Sequence, residues 1–112
     1  MKIEILGCYG GRLKEAKTTS FLINDNILLD AGSIVSSLDL KKQQEILYIL
    51  ITHTHLDHIK DLPFLLDNLI FNDSCDRKNI KIVTTEKIIK NIKTHLLNNI
   101  IWPDFGNIPT PE

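Results

Sequence analysis

His53-Thr54-His55-Leu56-Asp57-His58 puts three of the chain's four histidines and an aspartate on one short stretch. Neutral imidazole and carboxylate are the usual protein ligands of zinc, and they also suit iron and manganese. Packing does not account for such a run, because clustered histidines repel one another when protonated and gain nothing from burial. His53 and His55 alternate along extended backbone, so both rings can face one side and share one ion. Asp57 and His58 lie further round, where the chain turns toward a helix, and are placed for a second ion beside the first. Two neighbouring ions can generate a hydroxide and clamp a phosphoryl or carbonyl oxygen, which is what in-line hydrolysis requires.

Such a loop needs a rigid support. Residues 47–52 form a near-continuous apolar run, the pattern of a strand buried on both faces. Loops leaving the C-terminal ends of such strands are where α/β proteins carry reactive groups. Upstream, residues 2–6 read as a strand that ends in the turn Gly7-Cys8-Tyr9-Gly10-Gly11. Residues 19–23 and 27–29 read as two more strands, with Asn24-Asp25-Asn26 supplying the residues of a tight hairpin. The pattern over 35–43 predicts a short helix. Downstream, Asp61 can cap a helix that runs to about Asn72, with Pro63 in its first turn. Residues 81–83 form a further strand. An amphipathic helix follows over 85–98, with Ile88, Ile89, Ile92 and Leu96 on one side. From Trp102 onward the chain is expected to be irregular, with Trp102, Pro103 and Phe105 as a local apolar cluster. The reading is one α/β domain, a mixed β-sheet with flanking helices.

Composition narrows the function classes. The chain has 112 residues, a hydrophobic share of 43% and a net charge of −1. That core is modest, and the charge is unlike the basic face of a nucleic-acid binder. Apolar runs such as 46–51 are too short to span a membrane. The start, Met1-Lys2-Ile3-Glu4, lacks the apolar segment of a secretion signal, so a cytoplasmic location is expected. Cys8 and Cys75 show no CxxC spacing and read as free thiols. The glycine-rich turn lacks the Gly-Lys-Ser/Thr ending of a phosphate loop, which favours a plain strand connection.

The motif residues also carry a resemblance. His53-Thr54-His55-Leu56-Asp57-His58 resembles the HxHxDH motif of the metallo-β-lactamase-fold hydrolases. Leu28-Leu29-Asp30-Ala31-Gly32 is similar to the strand end that precedes that motif, and Leu50-Ile51-Thr52 to its lead-in strand. Gly7-Cys8-Tyr9-Gly10-Gly11, Thr18-Thr19-Ser20-Phe21, Ile59-Lys60-Asp61-Leu62-Pro63 and Ile101-Trp102-Pro103-Asp104-Phe105 resemble the class II cyclic-nucleotide phosphodiesterase-like branch. Asp61 departs from the wider superfamily, which most often has glycine there.

The resemblance implies that His53 and His55 bind a first divalent metal, and Asp57 and His58 a second. The metals would be two zinc ions, with iron or manganese as alternatives. Asp57 would also act catalytically, orienting or deprotonating the attacking water. Asp30 has two readings: a turn-forming aspartate before Gly32, or the buried carboxylate that steadies the histidine loop. The implied reaction is hydrolysis of a small phosphodiester, such as a cyclic nucleotide, by a metal-bound hydroxide. A non-catalytic metal-binding or di-iron redox module is the alternative.

The implied fold is an αββα sandwich of two similar halves, of which residues 1–112 correspond to the N-terminal half. The expectation is therefore a fragment, or a chain whose exposed sheet is covered by a second chain or a homodimer partner. His95, the remaining histidine, is either a further ligand or a packing or boundary residue on its helix.

Overall fold

The computed structural model describes residues 1–9, 17–70 and 80–104. In chain order these form β1 (Ile3–Gly7), β2 (Ser20–Ile23), β3 (Ile27–Leu29), α1 (Leu40–Gln43), β4 (Tyr48–Leu50), α2 (Leu56–Ile59), α3 (Leu62–Ile70), β5 (Lys81–Val83) and α4 (Glu86–His95). The strands make one five-stranded sheet in sequence order. β1, β2 and β3 pair antiparallel, whereas β3, β4 and β5 pair parallel. The mixed sheet with helices is the architecture expected from the sequence.

The β2–β3 hairpin turns on Asn24 and Asp25, both left-handed at φ 51° and 65°. Short polar side chains tolerate that conformation better than other non-glycine residues. Asn24 accepts from the Lys2 backbone N–H at 2.9 Å, and the Lys2 ammonium meets Asp25 at 3.0 Å. The start of β1 is thereby tied to the turn.

The strand registers align Leu22, Leu28, Ile49 and Ile82 on one sheet face. Leu22, Leu28 and Ile49 are buried there, within a core that includes Ile34, Ile46, Leu62, Leu65 and Ile92. The opposite face is open, with Ile5 64%, Val83 49% and Tyr48 41% exposed. β4 is thus covered on one face, where the apolar run had suggested two. The run matches a strand with two covered faces, and the described residues cover only one of them.

Two helices differ from expectation. Residues 35–37 form turns, and α1 begins only at Leu40 because Asp39 accepts from the Lys42 N–H at 2.9 Å and starts a new helix there. α2 is a single turn inside the histidine motif, which the sequence had suggested was loop. α4 starts on Thr85, whose hydroxyl accepts from the Ile88 N–H. Its Ile92 is buried, and Ile88 and Leu96 pack against the core. The expected end of α3 near Asn72, Cys75, Gly10, Gly11 and the tail from Phe105 lie outside the described residues. Cys8 is an exposed free thiol. Among the described residues, no helix is long and apolar enough to cross a membrane.

Candidate metal centre at the ends of β3 and β4

Asp30 leaves β3 in a left-handed conformation, φ 60°, that is costly for any residue with a Cβ. Hydrogen bonds on every side hold it there. Its N–H donates to the Leu50 carbonyl at 2.7 Å, and its own carbonyl accepts from the Ser20 hydroxyl at 2.7 Å. Its carboxylate accepts from the Thr52 N–H at 2.9 Å and the Thr52 hydroxyl at 2.7 Å. The same carboxylate meets His58 Nδ1 at 2.9 Å. A turn-forming aspartate needs none of the contacts to Thr52 and His58. The buried Asp30 side chain faces the histidine motif.

The motif is clasped to the loop after β3 by its backbone as well. The Ala31 N–H donates to the His58 carbonyl at 2.7 Å, and the Asp61 N–H donates to the Ala31 carbonyl at 2.9 Å. Gly32 makes this approach feasible, since a Cβ there would fall on the Asp57 carbonyl oxygen and the Thr19 backbone. Asp61 does not cap α3 with its side chain. Its carboxylate reaches back and accepts from the N–H groups of Ile34 at 2.8 Å and Val35 at 3.1 Å. The Asp61 carbonyl takes the first helical bond of α3, from the Leu65 N–H at 2.9 Å.

These supports bring three imidazoles together. The ring centroids of His53 and His58 are 3.8 Å apart, and those of His53 and His55 are 4.8 Å apart. Because His58 Nδ1 is engaged by Asp30, its Nε2 is the nitrogen left to act as a ligand. That atom lies 3.4 Å from Asp57 Oδ2. Two ligands bonded at about 2.0–2.2 Å to a tetrahedral ion lie about 3.4 Å apart. The His58–Asp57 pair therefore fits the edge of a coordination shell, and the imidazole and carboxylate donors suit zinc, iron or manganese. The rings of His53, His55 and His58 pack against one another rather than radiating from a point. Among the described residues, no three such side chains converge as a finished site.

His95 stands apart from this cluster. It is exposed on α4 and lines a cleft of about 420 Å³ with Thr54, Leu56, Ile59, Asn91, Ile92 and Leu96. Trp102 stacks edge-on against Phe64, with ring centroids 5.0 Å apart, while Phe105 of the expected local cluster lies outside the described residues. The sequence reading gave no role to Thr52 or Ser20. The signal for Thr52 was its hydroxyl immediately before the first motif histidine. Ser20 acts across the sheet, so only the pairing of β2 and β3 reveals it.

Comparison with known proteins decides the family. Residues 36–109 match the family model for class-II cAMP phosphodiesterases. The chain belongs to this family. A relative, the 3′,5′-cyclic-nucleotide phosphodiesterase of Schizosaccharomyces pombe, is 33% identical over 81 residues, 72% of this chain and 22% of that protein. The crystal structure of unliganded yeast PDE1 superposes with a TM-score of 0.72 at 21% identity, covering 94% of this chain and 47% of that one. YhfI from Bacillus subtilis, a metallo-β-lactamase-fold protein, gives a TM-score of 0.61 at 23% identity, covering 84% and 42%. The class-II chain thus has the metallo-β-lactamase fold and spans under half the length of each of these proteins.

Proposed function

We propose that this chain carries the metal-binding half of a metal-dependent phosphodiesterase acting on cyclic nucleotides. The observation that carries the reading is the Asp30-anchored histidine motif, in which His58 Nε2 and Asp57 Oδ2 stand at coordination spacing. Family membership supports the phosphodiester, and the S. pombe relative, a 3′,5′-cyclic-nucleotide phosphodiesterase, supports the cyclic nucleotide.

In this proposal His53 and His55 hold one divalent ion, and Asp57 and His58 hold the other. When bound, the ions supply Lewis acidity and lower the pKa of a water molecule. Zinc is the first choice, with iron or manganese as the alternatives. Asp57, half-exposed beside His58, positions the attacking water or takes its proton. Asp30 keeps His58 oriented while these groups act. The cleft beside Thr54 and Leu56 is lined by apolar Ile59, Ile92 and Leu96 together with polar Asn91 and His95. Clefts of this size and mixture suit the nucleoside part of a substrate.

The remaining ligands, and cover for the open sheet face, would come from the rest of a longer protein or from a second chain. An exposed Cys8 thiol suits a reducing cytoplasm. The test is metal analysis of the purified chain alongside hydrolysis of cyclic AMP and of bis-p-nitrophenyl phosphate. Bound metal with turnover that His55→Ala abolishes supports the enzyme. Metal uptake without turnover would leave a non-catalytic metal-binding or redox module.

A further inference from the structure

Thr52 sits between Asp30 and His53, and its hydroxyl has a single hydrogen. The Asp30 carboxylate can only accept, so at 2.7 Å the hydroxyl hydrogen is committed to Asp30 Oδ2. The hydroxyl oxygen is also 2.9 Å from His53 Nδ1. With its hydrogen spent, the oxygen can take part in that contact only as an acceptor. His53 Nδ1 must then carry the proton, and His53 Nε2 is left bare. His58 reaches the same state directly, since its Nδ1 lies 2.9 Å from the Asp30 carboxylate.

We propose that Thr52 is a positioning residue that relays the Asp30 carboxylate to His53, so that one buried aspartate sets the tautomer of two motif histidines. Asp30 is 3% exposed, and its Oδ2 serves both branches while its Oδ1 accepts from the Thr52 N–H. The direct branch ends on His58. The relayed branch passes through a hydroxyl and ends on His53. His55 lies outside both, and as the residue preceding α2 its side chain makes no capping bond. The proposal separates three chemically alike rings into two whose tautomer is fixed and one that stays free to adjust. Its consequence for metal binding rests on the function proposed above, whereas the tautomers themselves do not.

The experiment is imidazole ¹⁵N NMR on the metal-free 112-residue chain at about pH 8, where unperturbed histidine is neutral. His53 and His58 are expected as single Nδ1–H tautomers, and His55 as a mixture. Thr52→Val, which keeps the shape and removes the hydroxyl, should return His53 to a mixture and leave His58 unchanged. Thr52→Ser should restore His53. Zinc titration of the same proteins should show weaker uptake by the valine variant, of order 10–100-fold as for other lost supports of ligands. A wild-type His53 protonated on Nε2, or a His53 signal indifferent to Thr52→Val, overturns the relay. The wild-type spectrum alone can do so if the valine variant does not fold. Fixed tautomers in a chain without turnover would leave the relay standing and count against the proposed hydrolysis instead.

Discussion

Asp30 and Asp61 are both buried, both lie at the junction of the same two segments, and they do opposite work. Asp30 belongs to the loop after β3 and reaches into the histidine motif, where it holds Thr52 and His58. Asp61 belongs to the far end of the motif and reaches back to the loop, where it holds the N–H groups of Ile34 and Val35. One carboxylate holds Thr52 and the motif histidine His58, whereas the other holds two backbone N–H groups and the neighbouring Lys60 ammonium, none of them in the motif. Together they close a reciprocal clasp, with the Ala31 backbone bonds to His58 and Asp61 at its centre. The difference shows that the same residue type at similar burial can serve either chemistry or architecture. Its partners decide which.

Substitutions can pull the two roles apart. Asp30→Ala should have the largest effect, because it strips Thr52 and His58 of a buried carboxylate and leaves alanine at positive φ. A loss of about 3–5 kcal/mol in chemical denaturation is expected, together with loss of metal uptake. Gly32→Ala forces the Asp57 backbone away from the loop and should cost about 1–3 kcal/mol by overpacking. Metal uptake should fall with it, because the displaced segment carries Asp57 and His58. Asp61→Ala leaves two backbone donors short of an acceptor, at a cost of about 1–3 kcal/mol. Here zinc titration should remain near that of the wild type, since no motif side chain loses a partner. If Asp61→Ala weakens zinc binding as much as Asp30→Ala does, the division of labour is wrong. The smallest effect is expected from His95→Ala and Asn91→Ala. These should raise KM for cyclic AMP while leaving bis-p-nitrophenyl phosphate turnover and stability unchanged.

Much of the site was legible in the sequence because its residues are contiguous. The motif from His53 to His58 needs no long-range contact to be recognised, and the strands that hold it show their apolar pattern directly. What stayed hidden depends on pairing across the fold. Asp61 read as a helix cap from its place before Pro63, and only the packing of the motif against residues 34–35 gives its carboxylate a different partner. Asp30 was open to two readings because a turn aspartate and a buried hub look alike until the parallel pairing of β3 and β4 sets Asp30 beside Thr52. The break before α1 was written in Asp39, whose capping strength outweighed the apolar spacing over 35–43. β4 misled in the other direction. Its residues are apolar on both faces, and sequence pattern records how strongly a face avoids water without saying which chain supplies the cover.

The central claim is that Asp57 and His58 form one edge of a divalent-metal shell in a phosphodiesterase. The most direct test is zinc binding by calorimetry to the wild-type chain and to Asp57→Asn, with cyclic AMP hydrolysis measured on the same samples. The account predicts that the wild type binds zinc and that Asp57→Asn keeps its fold while losing part of that affinity, together with any cyclic AMP turnover that the ligands of a longer protein or a second chain allow. Unchanged binding and turnover in Asp57→Asn would contradict it.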